Sequence, residues 1–190
     1  MSRAHAIAAG ASVVAMLSTS IALTTLGASL TPATALTLYA ALFLPYIALI
    51  VCVRQLPSSM NPKHVLIATL GVAALLRVVF AWSDPLFSDD IFRYVWDGRV
   101  GAAGITPYVH APASEALSAL RDTAIWPKIN HPEIPTIYPP LAQMVFHLNA
   151  LLGPFGGATS LRLLFAIFEL AMLAGGWAIF ARRPKSSEQA

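Results

Sequence analysis

The stretch HVLIATLGVAALLRVVFAW (residues 64–82) runs straight into SDPLFSDDIFRYVWDGR (83–99). The first half is apolar apart from Arg77 and His64, and it matches the ~20 residues a helix needs to cross a bilayer. The second half packs in Asp84, Asp89, Asp90 and Asp97. A membrane span therefore delivers an acidic segment to the water–lipid boundary, and this juncture decides how the rest of the chain is read.

Outward from it, three further segments are long and apolar. Residues 6–30 and 34–53 precede it and 160–181 follow, which gives four predicted spans. Pro45 predicts a kink in the second. Arg3, the first apolar stretch and Ala33-Thr34-Ala35 resemble a secretory signal, but the stretch is too long for one, and a membrane span is expected. Composition agrees. Of 190 residues 57% are hydrophobic and 11% charged, against about a quarter charged in a soluble domain. Mean hydropathy is +0.67. The net charge of +3 is spread thinly, which excludes a phosphate-tracking surface and a nucleic-acid partner. The single Cys52 excludes an internal disulfide and is expected to be an inert packing residue.

Charge sets the orientation. Arg3, the pair Arg54 and Lys63, and the tail Arg182, Arg183 and Lys185 belong on the cytoplasmic side by the positive-inside rule. Both termini are then cytoplasmic and residues 83–159 extracytoplasmic, in a bacterial-type inner membrane. The stretch 139–153 is too short to span: fifteen helical residues reach ~22 Å against a ~30 Å core. It carries Gln143, His147 and Asn149, and it is expected to lie along the outer membrane face. The expected fold is an all-α integral membrane protein. Its parts are residues 1–82 with three transmembrane helices, an acidic loop 83–159 with an interfacial helix 139–153, and residues 160–190 with the fourth helix and a basic tail.

Seven of the nine acidic residues fall in 83–138, and eight of fourteen prolines in 83–140, so the loop is expected to be ordered rather than a linker. Ser88 suits a helix N-cap and Gly98 a helix stop. Asp89, Arg93 and Asp97 share one helical face, and Asp90, Tyr94 and Asp97 nearly share another. Capping and a surface ion pair would account for the cluster in a soluble helix. Beside a membrane span, ionisable clusters are costly and point to function. Paired carboxylates there serve as a general base, hold a divalent cation, or relay protons. Inside the spans Arg77 and Glu169 stand out, too few acids for a transporter, which favours group transfer. Arg77 is expected to snorkel to the interface, to pair with Glu169, or to contact the phosphate of a lipid-linked donor. Residues 114–121 suggest a short amphipathic helix capped by Ser114. His110 is expected to be a loop residue, His147 to sit on the polar face of its helix, and His131 and Glu133 are weak candidates to join the aspartates around a metal.

Taken together, Ser88-Asp89-Asp90 through Trp96-Asp97-Gly98, then Gly104-x-x-Pro107-Tyr108, then Tyr138-Pro139-Pro140-Leu141, resemble the first outer loop of GT-C glycosyltransferases, nearest to the mannosyltransferase branch. The resemblance covers about 77–181. It implies a polyprenyl-phosphate-linked sugar donor, mannose above others, and an aspartate as general base on the acceptor hydroxyl, with inversion at the anomeric carbon. Asp89 best matches the family's aspartate and Asp90 comes second. Arg77, Arg93, Tyr94, Trp96, Asp97, His131 and Tyr138 are the expected substrate-binding residues. No metal site is assigned, although a divalent cation is compatible. In that family the acidic loop follows the first span, whereas here it follows the third, and the family has ten or more spans. The chain therefore resembles the N-terminal part of such an enzyme: a truncated frame, one half of a split enzyme whose second membrane subunit carries the further helices, or a degenerate relative. A non-catalytic membrane subunit or degenerate fragment that assembles with a partner membrane protein is the alternative reading.

Overall fold

The computed structural model describes residues 3–57 and 59–181. The chain is all-helical among these residues. Its α-helices are α1 (Arg3–Leu26), α2 (Pro32–Ala41), α3 (Phe43–Arg54), α4 (Pro62–Ala81), α5 (Asp90–Ala102), α6 (Pro140–Ala150) and α7 (Ala158–Ala181). Four segments are long and apolar enough to cross a membrane: Ala4–Leu26, Pro32–Arg54, Pro62–Ala81 and Ala158–Ala181. They coincide with the four expected spans. The basic tail, Arg182, Arg183 and Lys185, lies outside the described residues.

Local chemistry explains the boundaries. Thr31 Oγ1 accepts from the Thr34 N–H and caps α2, whose first residue is Pro32. Asn61 caps α4 in the same way through the Lys63 N–H, ahead of Pro62. The second span breaks at Leu42, between α2 and α3. Pro45 has no N–H to offer the carbonyl four residues back, so the interruption falls where the sequence expects a kink. Cys52 is buried, as a packing residue should be.

In the bundle α1 packs on α3 and α4, and α4 on α7. The spans bury little of their own surface, and side chains such as Leu44, Ile67 and Met172 project outward. That suits helices whose solvent is lipid. Residues 83–157 form a separate polar-and-aromatic cap at one end of the bundle. Its core is Ile91, Val95, Trp96, Val100, Leu117, Ile125, Ile129 and Phe146, joined by Leu161 from the first turn of α7. Phe87 meets Tyr39 edge-on at 5.4 Å, and Leu86 fills the space over Gly27. The cap therefore sits at the end of the bundle that carries the 27–31 turn, opposite Arg54 and Lys63.

Helices α5 and α6 form the spine of the cap. Gly98 corrects a sequence expectation: it does not stop α5 but lies inside it. A Cβ there would collide with the backbone carbonyl of Phe146, so the glycine permits close approach of α6. The helix ends instead at Gly104, with φ +77°, where Gly104 N–H donates to Gly101 O and Ile105 N–H to Val100 O. This is a Schellman ending. Residues 114–121 also depart from expectation. They form a 3-10 turn, Glu115–Leu120, without a side-chain bond from Ser114. At eleven residues, α6 is ~16 Å long, well short of a bilayer.

Candidate functional site

Asp89 and Asp90 stand at the start of α5, close to the end of α4. The expected Ser88 cap is displaced by one residue. Asp89 occupies the N-cap position without a side-chain cap bond, while Ser88 Oγ accepts from the Asp90 N–H at 3.3 Å. The two carboxylates are joined through a residue that sequence reasoning passes over. Asn130 Nδ2 donates to Asp89 Oδ1 at 2.9 Å and to Asp90 Oδ1 at 2.7 Å. A lone loop asparagine carries no signal in the sequence; only the fold brings it across.

Asp89 is exposed and lines a cleft of about 500 Å³ with Asp84, Ser88, Phe92 and Lys128. The Lys128 ammonium sits 4.8 Å from the centre of the Phe92 ring. Residues 84–87 form a wall shared with a second cleft, also about 500 Å³, between α4 and α7. This second cleft holds Arg77, Arg162 and Glu169 among apolar side chains including Leu76, Phe80 and Phe165.

The two arginines differ. Arg77 Nε donates to Glu169 Oε2 at 2.5 Å, which forms the ion pair between spans three and four. Sequence reasoning singles out Arg77 and overlooks Arg162, although Arg162 also lies inside a span. Arg162 uses one terminal nitrogen to donate to the carbonyls of Ala81 and Ser83, at the end of α4. Among the described residues no carboxylate forms an ion pair with it. Asp84, in the lining of the same cleft, is the carboxylate that acts on its charge from beyond ion-pairing distance.

Three expected substrate residues are placed in the interior instead. Arg93 and Asp97 are 5% and 2% exposed. Arg93 Nε donates to Asp97 Oδ1 at 3.0 Å, and its terminal nitrogens donate to the carbonyls of His131 and Ile134. Gln143 Nε2 donates to the other Asp97 oxygen at 3.0 Å and to Thr136 Oγ1 at 2.9 Å. The shared face of Asp89, Arg93 and Asp97 thus splits: Arg93 turns inward to Asp97, and Asp89 is left to Asn130. Trp96 is 1% exposed and packs against Trp126 at 5.3 Å. The physical reason is common to all three. One face of α5 is the core of the cap, and residues at 93, 96 and 97 fall on it.

Tyr94 and Tyr138 are partly buried. Tyr94 stacks on Phe146 at 4.7 Å and meets Tyr138 edge-on at 4.7 Å. Burial, followed by the nearby Asp90 charge, raises the Tyr94 phenol above its ordinary range. Tyr138 is raised chiefly by burial as well, with Tyr94 and Asp90 adding to it. Both stay neutral at physiological pH. Tyr108 Oη donates to the Tyr138 carbonyl at 2.7 Å, so the Gly104–Tyr108 turn and the Tyr138–Leu141 segment meet.

His131 is exposed, with φ +46°, and its Nδ1 lies 3.5 Å from Glu133 Oε1. Among the described residues, no three His, Cys, Asp or Glu side chains converge to hold a metal. Asp122 accepts from the N–H groups of Ala124, Ile125 and Trp126 and pairs with Arg99. Partial burial pushes its carboxyl up, but these bonds win and hold it down at about 2. It fixes the turn that delivers Lys128 and Asn130.

A family model described as alpha-(1->6)-mannopyranosyltransferase, N-terminal domain, of the MptA_B family, matches residues 2–189. The chain belongs to this family. No curated protein and no solved structure matches it. MptA_B membership agrees with the mannosyltransferase resemblance of the acidic loop, and it makes mannosyl transfer the chemistry that the two clefts must be weighed against.

Proposed function

We propose that the chain carries the acidic active-site loop of a membrane mannosyltransferase that uses a polyprenyl-phosphate-mannose donor. Asp89 takes the proton from the acceptor hydroxyl. That oxygen attacks the anomeric carbon with inversion, and the polyprenyl phosphate leaves. Asp90 stands behind Asp89. The lipid phosphate lies in the cleft between α4 and α7, within reach of Arg162, with the prenyl chain against Phe80, Phe165 and the lipid. Arg77, neutralised by Glu169, shapes the cleft rather than supplying its charge. The MptA_B membership supports the mannosyl part of this reading.

The observation that carries it is the shared wall. An exposed aspartate and an arginine that forms no ion pair among the described residues line two clefts that share residues 84–87 as a wall, Asp84 included. A general base and a phosphate-binding cation on either side of one short segment is what transfer from a lipid phosphate requires. A divalent cation beside the leaving phosphate is compatible with this reading.

The cap belongs on the extracytoplasmic face. The bundle end that carries it has no Lys or Arg in the 27–31 turn, whereas the opposite end carries Arg54 and Lys63. The outward apolar side chains of α6, namely Leu141, Met144 and Leu148, together with Leu151 beyond it, suit a helix lying in the membrane interface.

The test is mannosyl transfer from radiolabelled polyprenyl-phosphate-mannose in membranes containing the protein as its gene encodes it. Asp89→Asn is expected to reduce the rate by ~10²–10⁴-fold with protein level intact. Full activity in Asp89→Asn refutes the assignment and favours a non-catalytic membrane subunit, for which Asp89 and Asp90 are dispensable.

A further inference from the structure

We infer that Asn130 is the positioning residue of the carboxylate pair, and that its amide allows Asp89 and Asp90 to work side by side. The inference rests on the reading of Asp89 as general base. The geometry is specific. One amide nitrogen lies 2.9 Å from Asp89 Oδ1 and 2.7 Å from Asp90 Oδ1. An amide NH₂ has two hydrogens, one for each carboxylate. The reversed amide would turn its oxygen toward two acceptors, so only this orientation is satisfied.

Adjacent carboxylates repel each other, and the solvent that reaches exposed Asp89 screens that repulsion only in part at half-buried Asp90. A donor shared between them offsets the repulsion and fixes the direction of both groups. Asn130 holds one oxygen of Asp89 and leaves the other free to take the acceptor's proton, in a residue that lines the cleft.

The chain around Asn130 is built to hold that amide still. Ile129 before it is buried in the core of the cap, and its N–H donates to the Trp126 carbonyl. The carbonyl of His131 after it accepts from Arg93, 3.3 Å away. His131 itself adopts φ +46°, a left-handed conformation uncommon for a residue with a Cβ. Asp122 caps the turn upstream through three N–H groups. An asparagine held on both sides, with its side chain aimed at two acids forty residues earlier in the chain, has little room to be incidental.

The experiment is a double-mutant cycle in the transfer assay on the protein as its gene encodes it. Asn130→Ala is expected to lower kcat roughly 10- to 100-fold, the range of a lost charge-assisted hydrogen bond, while the KM for the donor changes by less than about twofold. In an Asp90→Asn background, where one of the two charges is gone, the same substitution is expected to lower kcat less than about threefold. Asn130→Asp, which adds a third carboxylate in the same volume, is expected to fall below Asn130→Ala. A structural role predicts equal factors in both backgrounds, and that result overturns the inference. So does near-normal kcat in Asn130→Ala. Failure of the underlying reading is a separate outcome: full activity in Asp89→Asn removes the general base on which Asn130 is argued to act.

Discussion

Arg93→Met tests the claim that Arg93 organises the cap rather than binding substrate. The substitution keeps a long, flexible side chain and removes the charge. Three bonds disappear: those to Asp97 Oδ1, the His131 carbonyl and the Ile134 carbonyl. Their weights differ. His131 and Ile134 are exposed residues and their bonds to Arg93 are only part-buried, so water replaces some of what their carbonyls lose. Asp97 is 2% exposed and cannot be rehydrated in place. Breaking one side of a buried ion pair costs about 3–5 kcal/mol. Gln143 still donates to the second Asp97 oxygen, which puts the expected loss near the lower end, about 3 kcal/mol.

That energy is read locally by hydrogen exchange in nanodiscs. The reporters are the Ala113 N–H, bonded to the Pro132 carbonyl, and the Thr136 N–H, bonded to the Pro107 carbonyl. Both bonds tie down the segment that Arg93 holds. A loss of about 3 kcal/mol lowers their protection roughly 100-fold if they exchange through opening of the cap. Replacing both partners, as Arg93→Met with Asp97→Leu, removes the stranded charge and is expected to recover at least tenfold of the roughly 100-fold lost protection, because a well-packed apolar pair often replaces a buried ion pair without loss. Two results refute the reasoning: a fall of less than about tenfold in the single variant, or a double variant no better protected than the single one.

The other predictions concern the second cleft and the turn that carries Asn130. Arg162→Gln is expected to weaken binding of polyprenyl monophosphate about tenfold or more, as for a lost charge-assisted bond, with Arg77→Gln affecting it less than about threefold. Equal losses in the two variants, by native mass spectrometry against a phosphatidic acid control, would place the phosphate elsewhere. For Asp122, held at about 2 in the folded protein, the sign follows from a lowered folded value. Its contribution is complete above the ordinary carboxylate value near 3.8 and fades as pH falls toward 2. With a third of the side chain exposed, solvent screening leaves about 1 kcal/mol. Asp122→Asn should therefore lower cap stability at pH 7 and by clearly less near pH 2, as followed by Trp fluorescence; a difference as large near pH 2 as at pH 7 contradicts this account.

The spans were legible because lipid imposes a simple rule on composition, and the break at Leu42 was legible because Pro45 lacks a donor. The cap was legible only as an acidic, proline-rich segment. Gly98 shows why. A glycine before the end of a periodic stretch is equally a stop signal and a place for close approach, and the partner that decides between them, the Phe146 carbonyl, lies on another helix. The real ending is at Gly104, where the backbone turns left-handed.

The same limit governs the site. Spacing places Asp89, Arg93 and Asp97 on one helical face, and the Arg93–Asp97 bond exists at the expected i, i+4 separation. Spacing does not say which part of that face is covered. The loop 129–136 closes over Arg93 and Asp97 and leaves Asp89 outside, so an apparent triad becomes a buried pair and an exposed acid. Asn130 belongs to that same loop. The segment that takes Arg93 away from Asp89 is therefore the one that supplies a replacement donor, and the two assignments stand together. If Arg93 were free to turn toward Asp89, a neutral amide shared between the carboxylates would be redundant. With Arg93 committed to Asp97 and the carbonyls of His131 and Ile134, the amide is the nearest compensation the acid pair has within the cap.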